Sequence, residues 1–375
     1  MSADLDAPRL MVAFDASPLL SPLTGVGVAV QQMVRTLEQR EDVELARYAC
    51  SFRGALQPGM KRLPLPAAVA QRLWGTMAHP RVDHWLRPAR VVHGTNYTVP
   101  PSRLPRLVSV YDCWFLRHPE QATRSVAHTA KVLRRAVASG AAVHASSQAT
   151  ADAVSEILAT DRVHVIALAA APAADLSAMP ADRPAPVAEL AGVPFVLALG
   201  TLERRKNLPR LIQAFGKIAS DHPELRLVLA GADGDDRPAI DSAIDVLDAS
   251  ARRRVMLTGR IEPSAKHWLL ANAAVLAYPS LDEGFGFPLL EAMQHRVPIV
   301  ASTAGSIPEV AGAAAFMVDA ADTDALAGAL HGVVSDEAQQ ARLVAAGDAR
   351  LACFSWDETG RCLAALYRRL ASEGT

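Results

Sequence analysis

Residues 281–293 combine two glutamates with a glycine-rich turn and the start of a helix. Glu283 stands in the loop, and Glu291 lies in the helix that follows, where Pro288 suits the first helical turn. The turn between the two acids consists of Gly284, Phe285, Gly286 and Phe287. Backbone N–H groups at a helix N-terminus favour an anion, and carboxylates accept hydrogen bonds from hydroxyls. The segment therefore suits a ligand with an anionic part and several hydroxyls, such as a sugar nucleotide.

A second stretch whose residues could take part in binding or catalysis runs from Gly200 to Asn207, with the sequence GTLERRKN. It follows a predicted strand at 194–200 and precedes a predicted helix that Asn207 can cap. Ligands of parallel α/β sheets bind at the carboxyl ends of the strands, so Arg205 and Lys206 are expected at such an edge. A guanidinium fork and an ammonium group would together offset the charge of a diphosphate. Arg204 is expected in solvent.

These two stretches, together with Pro298-Ile-Val-Ala-Ser, resemble the signature segments of retaining GT-B glycosyltransferases of family 4, the glycosyl transferases group 1. The resemblance implies an α/β fold of the GT-B type, with two Rossmann-like, doubly wound domains that face each other across a cleft. It also implies transfer of a hexose from a nucleoside-diphosphate sugar to a hydroxyl of a glycan or lipid-linked acceptor, with retention of anomeric configuration and without a metal or cofactor. Similarity to mannosyltransferases makes GDP-mannose the preferred donor.

The resemblance assigns roles to the residues of both stretches. Glu283, Arg205 and Lys206 are implied to be catalytic, with the two cations stabilising charge on the departing diphosphate. Glu291 is implied to hold the ribose hydroxyls of the donor. The turn residues Gly284, Phe285, Gly286 and Phe287 are implied to bind the donor through their backbone.

The length of 375 residues is comfortable for two domains, each with its own core. Half of the residues are apolar and few are aromatic, which fits layered α/β domains. An Ala-Pro-rich tract predicts a linker at about 169–186 between an N-terminal, acceptor-side domain at 1–180 and a nucleotide-sugar domain at 187–355. The amphipathic pattern of residues 356–375 predicts a final helix, which in relatives returns to the N-terminal domain. Five strands and four helices are predicted to alternate in the second domain: strands at 194–200, 225–231, 255–259, 274–279 and 298–301, and helices at 208–220, 238–250, 263–272 and after the glycine-rich turn.

The N-terminal half begins with a predicted strand at 10–14, then a glycine turn and a helix predicted at 28–37. The resemblance places Gly25 and Gly27 of this turn near the donor phosphates. Further along, Tyr111-Asp112 stands where many relatives have His-Asp. A tyrosine can form hydrogen bonds but cannot take up and release a proton near neutral pH as imidazole does. Tyr111, Asp112 and the nearby His118 are therefore the acceptor-side candidates.

The formal net charge of −1 does not indicate a nucleic-acid-binding protein, but the charge is unevenly distributed along the chain. Fifteen lysines and arginines lie between Arg47 and Arg135, against three acids. Such an excess would attract an anionic membrane face or a phosphorylated acceptor. The sequence shows no secretory signal and its four cysteines have no ligand spacing, which predicts a cytoplasmic protein, peripheral at the inner face of the cell membrane if it contacts the membrane at all.

Two alternatives remain open at this point. One is another enzyme on the same fold, a sugar-nucleotide epimerase or a phosphorylase, of which the latter needs a lysine that bears pyridoxal phosphate. The other is a non-catalytic subunit that binds a nucleotide sugar without turnover. The acceptor, the linkage and the identity of an acceptor base do not follow from the sequence.

Overall fold

The computed structural model describes residues 9–21, 23–50, 54–172 and 185–374. The chain divides into two compact units. One comprises the chain up to Ala169 together with the segment from Ser355 onward, and the other lies between Ala170 and Phe354. Most of the linker predicted at 169–186 lies outside the described residues, and of it only 169–172 and the start of a short 3-10 helix at 185 are described.

The first unit is built on a parallel sheet with the strand order β3-β2-β1-β4-β5-β6-β7. Its strands are β1 Leu10–Asp15, β2 Val43–Ala49, β3 Lys61–Arg62, β4 Val91–Gly94, β5 Arg106–Val110, β6 Ala142–Ala145 and β7 Val163–Val165. The strands β1, β4, β5 and β6 are central and almost fully buried, because helices cover both faces of a parallel sheet. The order reverses between β1 and β4, which is where open sheets of this kind bind ligands.

The second unit contains a six-stranded parallel sheet with the order β10-β9-β8-β11-β12-β13. Its strands are β8 Phe195–Leu199, β9 Arg226–Ala230, β10 Val255–Gly259, β11 Val275–Tyr278, β12 Ile299–Ser302 and β13 Ala315–Val318. The five strands predicted from the sequence are confirmed, and β13 is an additional strand at the edge. The order reverses between β8 and β11, so the loops that follow these two strands are neighbours.

The helices form layers on the sheets. Those of the first unit are α1 Gly25–Glu38, α2 Ala67–Thr76, α3 Asp83–Leu86, α4 Trp114–Arg117, α5 Arg124–Ala138, α6 Gln148–Leu158 and the final α15 Trp356–Glu373. Those of the second unit are α7 Leu208–Ile218, α8 Arg237–Asp245, α9 Ala249–Arg252, α10 Pro263–Asn272, α11 Phe287–Gln294, α12 Ile307–Ala311, α13 Thr323–Ser335 and α14 Glu337–Leu351. The 3-10 helices are Ser17–Leu20, Pro119–Gln121, Ala185–Leu190, Arg204–Lys206 and Gly312–Ala314.

Two predicted helices differ from those observed by more than two residues. The helix predicted at 28–37 begins three residues earlier, at Gly25, because the hydroxyl of Thr24 accepts a hydrogen bond from the Gly27 N–H and caps it. The helix predicted at 238–250 is divided into α8 and α9, because the Asp248 carboxylate accepts from the N–H groups of Ser250 and Ala251 and starts a new helix there.

A chain of buried hydrogen bonds ties the final helix α15 to the sheet of the first unit. Tyr367 Oη lies 2.7 Å from His93 Nδ1 and His93 Nε2 lies 2.8 Å from Ser109 Oγ. Ser109 Oγ lies 2.9 Å from His144 Nδ1, and His144 Nε2 lies 3.0 Å from the carbonyl oxygen of Ile166. The four side chains are completely buried. The chain therefore links α15 to β4, β5 and β6 in succession.

The chemistry of its last acceptor sets the direction of this chain. The Ile166 carbonyl can only accept, so His144 Nε2 carries the proton and His144 Nδ1 accepts from the Ser109 hydroxyl. The Ser109 oxygen then accepts from His93 Nε2, and His93 Nδ1 accepts from the Tyr367 hydroxyl. Every donor and acceptor on the path is satisfied when both histidines are neutral, as buried polar groups require. Burial lowers the pKa of His144 to about 4 and holds the pKa of His93 well below its ordinary value.

We expect acid to destabilise the first unit through these histidines. A histidine whose pKa is lowered by folding contributes its full stability above pH 6.5 and loses it as the pH falls toward the folded pKa, at about 1.4 kcal/mol per pH unit. Replacing His144→Gln should make the free energy of unfolding fall less steeply with acid by that amount between about pH 6.5 and 4. Chemical denaturation at several pH values measures the slope. Equal slopes in the two proteins would show that His144 titrates in the folded state as it does when unfolded.

Candidate active site

The candidate site of the second unit lies at the carboxyl ends of β8 and β11. These strands are paired in parallel, with Val275 opposite Val196 and Leu276 opposite Leu197. The loop after β8 carries Arg205 and Lys206, and the loop after β11 carries Glu283. Because adjacent parallel strands end at the same edge of the sheet, the two loops meet, and the backbone N–H of Leu281 donates to the Arg205 carbonyl at 2.7 Å.

The centre of the site is the Glu283 carboxylate, which both predicted cations contact. Lys206 Nζ donates to Glu283 Oε1 at 2.6 Å and Arg205 Nη1 donates to Glu283 Oε2 at 2.7 Å. Lys206 and Glu283 are each only 7% exposed. Lys206 also donates to the hydroxyl of Tyr278, the last residue of β11, at 3.2 Å. The structure thus brings together three of the residues that the sequence analysis named, from stretches almost eighty residues apart.

The electrostatics of this cluster keep Glu283 ionised. Burial by itself raises the pKa of the Glu283 carboxyl, but the charges of Lys206 and then Arg205, with the hydrogen bond from Lys206, outweigh it and lower the pKa to about 2. Arg205 has a second carboxylate partner, since its Nε donates to Glu203 Oε2 at 2.9 Å. The Glu203 side chain is 38% exposed, so this second ion pair is weak and another anion can replace Glu203 beside Arg205.

Asn207 fixes the end of the cationic loop but does not cap α7 with its side chain as the sequence analysis expected. Its backbone adopts the left-handed conformation with φ of 57°. Its side-chain Nδ2 donates instead to the carbonyl oxygens of Pro279, at 3.1 Å, and Ala320, at 2.8 Å. Asn207 therefore joins the loops after β8 and β11 to the loop after β13.

The loop that carries Glu283 is held by a close approach of Gly305. The N–H of Ser306 donates to the Glu283 carbonyl at 2.9 Å. Gly305 has a φ of +55°, and a Cβ at this position would lie 2.6 Å from the Glu283 carbonyl oxygen and 2.7 Å from its backbone nitrogen. Only glycine fits there without a shift of the backbone.

The predicted turn leads into α11 as expected. Gly286 is the residue before the helix, in the left-handed conformation with φ of 91°, and Phe287 and Pro288 form the first turn. The rings of Phe285 and Phe287 meet edge to face with their centroids 5.4 Å apart. Backbone N–H groups at this N-terminus suit an anionic or polar part of a ligand.

Glu291 does not join the Glu283 cluster in the described contacts. Its Oε1 accepts from Lys266 Nζ on α10 at 2.7 Å, and its side chain is 17% exposed. Lys266 is not among the site residues predicted from the sequence. The sequence shows only that a lysine stands in the helix after β10, in a chain with few lysines. The spacing of residues along the chain does not indicate that Lys266 in one helix pairs with Glu291 in another.

The acids at Asp233 and Asp235 make turn and ion-pair contacts. Asp233 pairs with Arg237 at 2.7 Å, and Asp235 accepts from the N–H of Arg204 at 3.0 Å. Over the described ranges, no group of three or more histidines, cysteines or acids is arranged to hold a metal ion.

The candidates in the first unit have well-defined neighbours within that unit. Gly25 and Gly27 lie in the first turn of α1 and not in a free loop. Tyr111 is buried and its hydroxyl donates to the Thr95 carbonyl at 2.8 Å. Asp112 accepts from the Tyr97 hydroxyl at 3.0 Å, and the His118 ring lies against that of Trp114 with centroids 3.9 Å apart. Their roles toward an acceptor remain predictions, and the buried Tyr111 hydroxyl is already used within the fold.

No helix in the described parts of the chain is long and apolar enough to cross a membrane.

Comparisons with known proteins find similarity to glycosyltransferases. Residues 184–350 match the model of the family described as glycosyl transferases group 1. The chain is 26% identical to O-antigen chain mannosyltransferase B of Escherichia coli, over 93% of this chain and 97% of that protein. It is 33% identical to alpha-maltose-1-phosphate synthase of Mycolicibacterium smegmatis, over 64% of this chain and 66% of that protein. Among solved structures, the sucrose-phosphate synthase of Thermosynechococcus elongatus superposes with a TM-score of 0.73 and 19% identity, covering 97% of this chain and 100% of that one.

The two Rossmann-like units have the α/β GT-B fold, and the candidate site lies at the β8 and β11 edge of the second unit. Residues 184–350 are similar to a group 1 glycosyl transferase domain, and nearly the whole chain is similar to a mannosyltransferase.

We expect the buried pair of Lys206 and Glu283 to show strong energetic coupling. Glu283→Gln should reduce the free energy of unfolding by about 3–5 kcal/mol, because it leaves the buried Lys206 charge without a carboxylate. Lys206→Met should reduce it by about 3 kcal/mol, because Glu283 then keeps only Arg205 as a charged partner. In the double variant the loss of free energy of unfolding should be about 2–3 kcal/mol smaller than the sum of the two single losses. Chemical denaturation of the four proteins measures this.

The exposed pair of Lys217 and Asp324 is the control for that cycle. Its atoms lie 2.6 Å apart, but both side chains are more than half exposed. Lys217→Met and Asp324→Asn should couple by at most about 1 kcal/mol. Additive effects at Lys206 and Glu283 as well would contradict the central role of their contact.

We expect Gly305→Ala to disturb the Glu283 loop. The new Cβ would meet the backbone of Glu283 and the residue would remain at an unfavourable φ, so the free energy of unfolding should fall by more than about 1 kcal/mol. Gly328→Ala is the matched control, because Gly328 lies in α13 with nothing within 4 Å of the added atom. That variant should be stabilised by up to about 1 kcal/mol. Similar values for the two variants in the same denaturation assay would be evidence against a close-packed loop.

Proposed function

We propose that the protein is a retaining hexosyltransferase that moves mannose from GDP-mannose to a hydroxyl of a glycan or lipid-linked acceptor. The observation that carries the proposal is the convergence of Arg205, Lys206 and Glu283 at the edge where α11 begins. This edge offers cations, a carboxylate and a helix N-terminus to one ligand, and a nucleoside-diphosphate sugar uses all three. The likeness to an O-antigen chain mannosyltransferase supports the choice of sugar.

The cations would stabilise the leaving group. As the bond from the sugar C1 to the diphosphate oxygen breaks, negative charge grows on the diphosphate, and positioned cations lower the barrier where charge develops. Arg205 would give up its exposed partner Glu203 for a phosphate oxygen, since that pair exchanges at little cost. Lys206 would act as a buried point charge. The acceptor oxygen forms the new bond to C1, and its proton passes to the leaving diphosphate. No metal or cofactor is needed in this scheme.

The two glutamates would hold two different parts of the donor. Each oxygen of the Glu283 carboxylate already accepts one hydrogen bond, and a carboxylate has about four acceptor sites, so it can still accept from hydroxyls of the transferred sugar. Glu291, with its separate partner Lys266, would accept from the ribose hydroxyls. In this proposal the pair does not act as the acid and nucleophile of a hydrolase.

Contact with an anionic membrane would bring the protein to a lipid-linked acceptor. The lysines and arginines between residues 47 and 135 support this part of the proposal, because many of those described, among them Arg72, Arg81 and Arg134, are exposed.

The proposal is tested by incubating the protein with a panel of GDP-, UDP-, ADP- and dTDP-sugars and an acceptor mixture from glycan and lipid-linked fractions. We expect steady release of GDP from GDP-mannose and an α-linked product. Arg205→Gln should reduce the rate by about a hundredfold or more, as the loss of one stabilising group of this kind does. Arg204→Gln is the matched control, because Arg204 is the exposed neighbour and should leave the rate unchanged.

Three results would contradict the proposal. Conversion of a sugar nucleotide into its epimer would favour the epimerase alternative. Phosphate-dependent cleavage with a visible absorbance band from bound pyridoxal phosphate would favour a phosphorylase. Tight nucleotide binding without turnover on any donor would favour a non-catalytic subunit.

A further inference from the structure

Two consecutive residues of α10 hold Glu291 at two points. Lys266 Nζ contacts the Glu291 carboxylate at 2.7 Å. The next residue, His267, contacts His295 with Nδ1 2.8 Å from Nε2, and His295 Nδ1 lies 2.8 Å from the Glu291 carbonyl oxygen. The side chain and the backbone of Glu291 are therefore both tied to one turn of α10.

The histidine contact has a defined direction. The Glu291 carbonyl only accepts, so His295 Nδ1 carries a proton and donates to it. His295 Nε2 then accepts from the protonated Nδ1 of His267. This arrangement needs a neutral His295, and burial lowers the pKa of that ring. The contact places Lys266 opposite the Glu291 side chain by fixing α10 against the end of α11.

The Lys266 contact occupies only one oxygen of the Glu291 carboxylate. Lys266 donates to Oε1, which leaves acceptor capacity on Oε2. The Glu291 side chain is largely shielded, at 17% exposed, whereas the Lys266 side chain is 38% exposed. An ion pair with one partly exposed partner adds little stability, so the main effect of Lys266 is on the orientation of Glu291. A glutamate without such a contact has several accessible rotamers and loses that freedom when it binds a ligand.

We propose that Lys266 is a positioning residue that orients Glu291 toward the two neighbouring hydroxyls of the donor ribose, and that this contact makes the site prefer ribonucleotides to 2′-deoxyribonucleotides. The inference rests on the proposed binding of ribose by Glu291. It adds a second residue, on another helix, that determines how strongly the 2′-hydroxyl is recognised. Lys266 itself touches neither the sugar nor the diphosphate in this scheme.

The test is the ratio of dissociation constants for a nucleoside diphosphate and its 2′-deoxy form, measured by calorimetry. The pair used is whichever of GDP, UDP or ADP the wild-type protein binds most tightly. The wild type should bind the ribonucleotide roughly tenfold more tightly, as expected for a hydrogen bond to a charged group. Lys266→Met keeps the aliphatic stem and removes the charge. It should weaken ribonucleotide binding, change 2′-deoxynucleotide binding much less, and bring the ratio to within about twofold.

Three further variants make the result specific. Lys266→Arg should restore most of the ratio, because arginine can still donate to Glu291. Lys217→Met removes a surface lysine at the far end of α7 and should leave both constants unchanged. Glu291→Gln tests the proposed ribose contact directly and should also reduce the ratio. Melting temperatures show whether each variant is folded.

The outcomes separate the inference from the proposed function. If Glu291→Gln abolishes the preference for the ribonucleotide and Lys266→Met preserves it, the ribose contact of Glu291 is supported and the proposed role of Lys266 is wrong. If Lys266→Met binds the ribonucleotide more tightly, Lys266 competes with the ribose and the inference is overturned. If the wild type does not distinguish the two nucleotides, or binds none of them, the proposed role of Glu291 fails and the inference fails with it.

Discussion

The contact between the buried Glu283 carboxylate and its two cations is the interaction on which the site of the second unit depends. Removing a carboxylate from water is costly unless opposite charges and hydrogen bonds replace the lost hydration. Lys206 and Arg205 supply them at 2.6 and 2.7 Å, one to each oxygen. The loops after β8 and β11 must therefore keep their positions for the charge to stay paired. The same contact that stabilises the two loops presents cations and a carboxylate at one edge of the sheet.

The other contacts of this edge support that central one. Asn207 ties the cationic loop to the carbonyls of Pro279 and Ala320, and Gly305 lets a further loop approach the backbone of Glu283. Glu291 has its own cation, Lys266, and is thus electrostatically separate from the Glu283 cluster. This separation is what two glutamates need if they are to hold different parts of one donor. In the proposed function, this edge would hold a diphosphate and two sets of hydroxyls with ordinary loops and one helix N-terminus.

The same requirement to satisfy buried polar groups shapes the first unit. His93, Ser109 and His144 lie on adjacent strands and form one directed hydrogen-bonded chain that starts at Tyr367 on α15. The last helix of the chain is joined in this way to the sheet formed by the first half. The pattern of Leu363, Leu366 and Leu370 predicted an amphipathic helix, but not that a tyrosine on its buried face would meet a histidine of β4.

Much of the fold was predictable because parallel strands in such sheets are short, buried apolar runs. The strands 195–199, 226–230 and 255–259 were identified in this way. Residues 43–49 were not, since VELARYA mixes charged and apolar residues in a strand near the sheet edge. The start of α1 was misplaced because Gly25 and Gly27 indicate a turn when taken alone. The hydroxyl of Thr24 and the packing of the helix outweigh that local preference.

The sequence by itself determined the kinds of groups that meet at the site: acids at a glycine-rich helix start, and a cationic pair after a buried strand. Only the tertiary structure decided which group pairs with which. Glu283 pairs with Arg205 and Lys206 because β8 and β11 are neighbours, and Glu291 pairs with Lys266 because side chains of α10 reach the end of α11. The order of strands and the packing of helices set these distances, and residues far apart along the chain carry no local signal of them.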